Sequence, residues 1–153
     1  LSRAHFARWM KMNGYVKTVQ EAFDVYLGDG CPAFIKTVWP SLEEGISIIL
    51  NAGGIPVLAH PGRYKLPEAT PLSQLMKEFH EEGGLGIEVC SGSQRSETEA
   101  MLADFARQYG FYASLGSDFH TIGGGRPRPG EIHTLPADLD PVWKHLPALA
   151  GIL

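Results

Sequence analysis

Apolar positions after Pro40 alternate between two spacings. Leu42, Ile46, Ile49 and Leu50 recur at helical intervals, and Ile55-Pro56-Val57-Leu58-Ala59 follows as a short apolar run bounded by turn residues. The first set predicts a helix with one buried face, and the second a buried parallel strand. The alternation repeats. Leu72, Leu75, Met76 and Phe79 mark a second helix, Leu85-Gly86-Ile87-Glu88-Val89-Cys90 a second strand, Met101, Leu102, Phe105 and Tyr109 a third helix, and Phe111-Tyr112-Ala113-Ser114-Leu115-Gly116 a third strand. The repeat of roughly thirty residues is that of a βαβ unit, so the fold class is α/β with a parallel sheet. Three strands are too few for a closed barrel or a full doubly wound sheet, which places the remainder upstream of Leu1.

Local signals punctuate this pattern. Ser41 with Glu44, and Ser96 with Glu99, read as capping boxes, and Thr70 as a cap with Pro71 at the first helical position. Gly53-Gly54, Gly83-Gly84 and Gly110 read as helix ends. Before Pro40, Phe6, Trp9 and Met10, then Val19, Phe23 and Leu27, predict a small helical unit with stops at Gly14 and Gly28. Cys31 to Pro40 reads as an irregular connection. The tail after Gly123 is rich in glycine and proline, then offers Val142, Trp143, Leu146 and Leu149 as a last amphipathic helix. The chain starts at Leu1 rather than Met and reads as a piece of a longer protein.

Composition narrows the picture. The 153 residues are 44% hydrophobic and 20% charged, enough for one ordinary core. A formal charge of −4 gives no footprint for duplex nucleic acid. A small anionic substrate needs only a local concentration of positive charge or metal. The two cysteines, Cys31 and Cys90, are far apart, which argues against thiolate zinc and a disulfide framework and suits a reducing cytoplasm. The apolar stretches are too short for a membrane span, and no signal peptide is evident.

Candidate chemistry lies where strands end. In parallel α/β proteins sites gather beyond the carboxyl ends of the strands. His60 ends the first strand, Ser91-Gly92-Ser93 follows the second, and Ser117-Asp118-Phe119-His120 follows the third. A carboxylate and two imidazoles there suit a divalent cation, and an extended Asp-x-His would point both side chains to one side. Arg63, three positions after His60, adds a guanidinium suited to phosphate oxygens. Arg3 and His5 form a second basic pair in the leading helix. A plainer account stands beside each: a histidine after a strand is more often a structural residue, the Asp of Gly-Ser-Asp can cap its own turn, and Arg3 and His5 suit a solvated helix end. His80, His133 and His145 lack such a setting and read as solvent-facing or loop residues, and Cys90 reads as a small buried residue.

The segments Ser2-Arg3-Ala4-His5-Phe6-Ala7-Arg8, Ala52-Gly53-Gly54-Ile55-Pro56-Val57-Leu58-Ala59-His60-Pro61-Gly62-Arg63-Tyr64, Gly86-Ile87-Glu88-Val89 and Gly116-Ser117-Asp118-Phe119-His120 together resemble the PHP (polymerase and histidinol phosphatase) superfamily of metal-dependent phosphoesterases. Within it they look most like the branch of ribonuclease AM and nucleotide 3′,5′-bisphosphate phosphatases. The resemblance implies the carboxyl-terminal part of a distorted (β/α)7 barrel over residues 41–153, preceded over 1–40 by the end of a helical insertion that covers the substrate. It implies His60, Asp118 and His120 as catalytic metal ligands, and Arg3, His5 and Arg63 as substrate contacts. Manganese is the first metal expected, with zinc, iron or magnesium as alternatives.

The superfamily's His-x-His run, the following Asp and its further His and Glu ligands have no match in this chain. The resemblance therefore implies a fragment that is weakly active or inactive alone. In the intact protein it implies hydrolysis of phosphate esters of nucleotides or short RNA by metal-activated hydroxide. Two alternatives stay open: a phosphatase for a small metabolite such as histidinol phosphate, and a non-catalytic phosphate- or nucleotide-binding module.

Overall fold

The computed structural model describes residues 1–36, 38–120, 122 and 125–146. The chain divides into two compact units, Leu1–Trp39 and the portion from Pro40 onward.

In the first unit, α1 (Arg3–Met12) is followed by α2 (Val19–Ala22), which runs on into a π-helical turn, Phe23–Leu27. Thr18 caps α2 by accepting from the Glu21 amide at 3.0 Å, and Glu21 reaches back to the Lys17 amide at 2.6 Å. Ala7, Val16, Ala22 and Leu27 form a small core, flanked by Met10, Val19 and Phe23. Trp9 stacks on Tyr15 with ring centroids 5.4 Å apart.

The second unit is a βαβαβ arrangement. After α3 (Leu42–Asn51) come β1 (Val57–Leu58), α4 (Leu72–Glu81), β2 (Gly86–Ser91), α5 (Ser96–Tyr109) and β3 (Tyr112–Gly116). The strands are parallel and lie in chain order, β1-β2-β3, the α/β class read from the pattern. That order is what an arc of a (β/α) barrel has. Beyond β3 the sheet is extended by one bridge, the Ala113 amide donating to the Asp140 carbonyl at 2.8 Å. β2 is buried along its whole length. Ile87, Val89 and Cys90 pack with Met76 and Phe79 of α4, Leu102, Ala103 and Ala106 of α5, and Phe111 and Ala113. Each large apolar side chain sealed here contributes about 1.5–3 kcal/mol.

The box of Ser41 and Glu44 forms at the start of α3, with reciprocal bonds of 2.8 and 3.1 Å. Gly110 closes α5 in the left-handed conformation at φ 66°. Other expectations are corrected. The first strand shrinks to Val57–Leu58 and is only half-buried, because β1 is the sheet's edge among the described residues. For the same reason Ile46 is buried in α3 while Ile49 and Leu50 stay 40% and 41% exposed, so the expected buried face is half its width. Helix α4 is capped by Pro71, one residue later than expected. Ser96 is the first residue of α5 rather than its cap. Arg95 takes the cap position without a side-chain bond, and the Glu99 carboxylate is engaged elsewhere, by His133. The last helix is a short 3₁₀ turn, Val142–His145, and Leu149 lies outside the described residues.

A bulge between Glu88 and Cys90 breaks the register of β2 against β3. On a regular strand these two would share a face. The irregularity lets Glu88 reach over the ends of β1 and β3 while Cys90 joins the core against α5.

Candidate active site at the carboxyl ends of the strands

Three loops build the site. The first leaves β1 through His60, which adopts the left-handed conformation (φ 36°, ψ 51°) and opens a 3₁₀ turn, Pro61–Arg63. That backbone is held from two directions: the His60 amide donates to Glu88 Oε2 at 2.7 Å, and the Tyr64 hydroxyl donates to the Ala59 carbonyl at 2.7 Å. The rings of His60 and Tyr64 meet edge to face at 6.0 Å. Burial, with the nearby Glu88 charge adding to it, raises the Tyr64 phenol above its ordinary pKa. Gly62 lets the turn press on the start of α5, since a Cβ there would lie 2.5 Å from the Thr98 methyl.

The second loop leaves β2 through Ser91, Gly92 and Ser93, with Ser93 at φ 63°. A Cβ on Gly92 would fall 2.1 Å from the Ser117 carbonyl oxygen, so only glycine fits between this loop and the next. The Gly92 amide donates to the Gly116 carbonyl at 2.9 Å. Its own carbonyl accepts from two guanidiniums, Arg63 Nη2 and Arg126 Nη1, the latter at 3.0 Å.

The third loop carries Asp118 at φ 51°, a left-handed turn rather than the extended Asp-x-His expected. Asp118 Oδ2 accepts from Arg63 Nη1 and lies 3.6 Å from Arg126 Nε. His120 Nδ1 lies 2.9 Å from the Asp118 carbonyl oxygen and 3.6 Å from Oδ1, with the imidazole largely in solvent. Burial works to raise the Asp118 pKa, but the Arg63 hydrogen bond and charge, with His120 and Arg126, outweigh it and lower the carboxyl below its ordinary range.

Asp118, His120, Arg63 and Arg126 therefore meet. His60 is placed by its backbone bond to Glu88, and its Nδ1 is buried without a hydrogen-bond partner among the described residues. The ligand atoms of His60, Asp118 and His120 do not all lie within 4.8 Å of one another. Within the first unit, Arg3 Nη1 donates to the Leu27 carbonyl at 3.3 Å, with its guanidinium 5.9 Å from the Phe34 ring centroid. His5 Nδ1 accepts from the Ser2 amide at 3.0 Å.

Two residues of the site carry no mark in the motifs. Arg126 sits past a glycine run that hides its partners, and only the fold brings it to Gly92 and Asp118. Glu88 stands inside the Gly86-Ile87-Glu88-Val89 segment without a role of its own, though a carboxylate in the middle of an apolar strand run is a readable signal. The donors present suit a divalent cation: an imidazole nitrogen in His60 that is buried and unpartnered among the described residues, a carboxylate in Asp118 and an imidazole in His120. The flanking guanidiniums suit a phosphate.

No family profile matches the chain. It is 41% identical over 148 residues to a 3′,5′-nucleoside bisphosphate phosphatase of Chromobacterium violaceum, covering 97% of this chain and 52% of that protein. It is 36% identical over 148 residues to the 5′-3′ exoribonuclease Rnm of Escherichia coli, covering 94% of this chain and 48% of that one. Among solved structures, a C. violaceum amidohydrolase with bound sulfate and no metal superposes with a TM-score of 0.74 at 40% identity, over 96% of this chain and 50% of that one. A metal-dependent phosphoesterase of Bifidobacterium adolescentis gives 0.66 at 28% identity, over 87% and 46%. The chain spans about half the length of the curated relatives it matches. These likenesses bear out the resemblance to the PHP superfamily of phosphoesterases.

Proposed function

We propose that the intact protein is a metal-dependent phosphoesterase acting on nucleotides or short RNA. One observation carries the reading: two guanidiniums, Arg63 and Arg126, converge with Asp118 and His120 at the carboxyl edge of a parallel sheet. The relatives named for nucleoside bisphosphates and for exoribonuclease activity support the substrate class.

In this reading His60, Asp118 and His120 hold the cation, with manganese the first candidate. When bound, such a cation stabilises charge on phosphoryl oxygens and activates water. Arg63 and Arg126 hold the phosphate by charge-assisted hydrogen bonds and orient it for attack. Glu88 fixes the His60 backbone and so aims the imidazole. Residues 1–40 are read as the end of a substrate-covering insertion, with Arg3 and His5 as substrate contacts. Two free cysteines suit a reducing cytoplasm, and no helix among the described residues is long and apolar enough to cross a membrane.

The test compares phosphate release by the intact protein from a nucleoside 3′,5′-bisphosphate, a short 5′-phosphorylated RNA and an amino-alcohol phosphate, with and without His60→Ala. Turnover of the first two with manganese, abolished by the substitution, is expected. Preference for the amino-alcohol phosphate would favour a metabolite phosphatase. Binding without turnover in the metal-loaded wild type would favour a non-catalytic module.

A further inference from the structure

A second set of donors lies away from the strand-end site. Cys90 Sγ near the end of β2, a carboxylate oxygen of Glu99 on the first turn of α5, and a ring nitrogen of His133 all lie within 4.8 Å of one another. Among the described residues they are the one such trio of Cys, His, Asp and Glu. They face an open cleft lined also by Ser96, Asp104 and Arg107.

We propose that Cys90, Glu99 and His133 form a zinc site, with its fourth position open to the cleft. The donor chemistry selects the ion. A thiolate, an imidazole and a carboxylate suit zinc, whereas manganese and magnesium favour oxygen-rich sets. Zinc–ligand lengths of about 2.0–2.3 Å demand donors separated by roughly 3–4 Å, close to the spacing of a trio whose donor atoms already lie within 4.8 Å of one another. His133 is free to adjust, because its side chain is 65% exposed. It now lies 2.7 Å from Glu99 Oε2, a contact the metal would replace. On binding, the Cys90 S–H bond breaks and a Zn–S bond forms. The proton leaves to solvent, and no electron is transferred.

The three ligands come from β2, α5 and the segment that also carries Arg126. A bound zinc would clip that segment to the helix seven residues from Arg126. No ligand is shared with His60, Asp118 or His120, so the zinc site stands or falls independently of the phosphoesterase reading.

Cobalt(II) reports the site directly, because only a thiolate ligand gives a sulfur-to-cobalt charge-transfer band. The chelator-treated intact protein is titrated with cobalt, then with zinc. The expected result is a near-ultraviolet band whose full amplitude corresponds to one thiolate-bound cobalt per chain and which zinc displaces. Cys90→Ser removes the band, His133→Ala raises the cobalt concentration needed to develop it at least ~10-fold, and Cys31→Ser leaves the band unchanged. His133 is exposed, so its variant stays informative should Cys90→Ser fail to fold. No band in the folded wild type, a band persisting in Cys90→Ser, or unchanged affinity in His133→Ala would overturn the proposal.

Discussion

Arg63 Nη1 donates to Asp118 Oδ2, tying the loop after β1 to the loop after β3 across 55 positions of sequence. The same guanidinium donates through Nη2 to the Gly92 carbonyl of the loop between them. One side chain thus joins all three strand-end loops. Both partners are partly open to water, with 22% and 18% side-chain exposure, so solvent screening keeps the pair's contribution to stability below about 1 kcal/mol. Its consequence is expected in binding. In the intact protein, on the proposed reading, Arg63→Ala should lower kcat/KM for a nucleoside bisphosphate by roughly 10²–10³-fold, the usual effect of losing one fixed charge-stabilising donor. The unfolding midpoint should move little. Arg63→Lys should recover only part of the loss, because an ammonium cannot bridge Asp118 and Gly92 together. Steady-state kinetics beside a urea melt check this, and unchanged kinetics in the alanine variant would remove Arg63 from the site.

The bond from the His60 amide to Glu88 Oε2 makes a second expectation. Glu88 is 9% exposed and is the acceptor for an amide held in left-handed backbone. Glu88→Ala leaves that buried N–H without an acceptor, at a cost of about 1–3 kcal/mol. Glu88→Gln keeps a side-chain oxygen and should lose less than half as much. Chemical denaturation measures both. Equal losses would mean that Glu88 acts through its charge rather than as the acceptor for His60.

What the sequence could disclose divides along physical lines. Local signals read well: the Ser41–Glu44 box depends on neighbours three positions apart, and Gly110 ends α5 because its left-handed backbone favours glycine. Periodicity placed the strands and helices but overstated burial at Ile49 and Leu50, since a pattern does not say which strand is the sheet's edge. The ends of the strands pointed to His60, Asp118 and His120, with Arg63 close by; the structure brings Asp118, His120 and Arg63 together and ties the His60 backbone to Glu88 instead. Arg126 and the Gly92 carbonyl were not legible, because their meeting depends on chain closure across 34 positions. The left-handed Asp118 also escaped, as nothing local requires it.

Two glycines should respond oppositely to the same methyl group. At Gly92 a Cβ would stand 2.1 Å from the Ser117 carbonyl oxygen, and that backbone belongs to the hydrogen-bonded rim of the sheet. Gly92→Ala must therefore push the loops after β2 and β3 apart, and a loss of at least ~2 kcal/mol is expected. Gly45 lies inside α3, where an added Cβ would meet nothing within 4 Å among the described residues, so Gly45→Ala should gain about 0.5–1 kcal/mol from helix propensity. Urea denaturation of both variants in parallel tests the pair. A tolerated Gly92→Ala would mean that the approach of the two loops is looser than 2.1 Å implies.

Cys90 should be a poor nucleophile while the protein is folded and free of metal. Burial, with the charges of Glu99 and Glu88 adding to it, pushes the thiol up from its ordinary 9.0 to about 11. Its thiolate fraction at pH 8 is then about a hundredth of that in the unfolded chain, and alkylation needs the thiolate. In a Cys31→Ser background with chelator present, iodoacetamide should label native protein at least ~100-fold more slowly than urea-unfolded protein at pH 8. The native rate should climb about tenfold per pH unit until the pH nears the raised pKa, while the unfolded rate levels off sooner. The sign follows from the direction of the shift: a raised thiol pKa suppresses the reactive anion at neutral pH and releases it only in alkali. Equal native and unfolded rates at pH 8 would show that the thiol is neither buried nor held neutral by the two carboxylates.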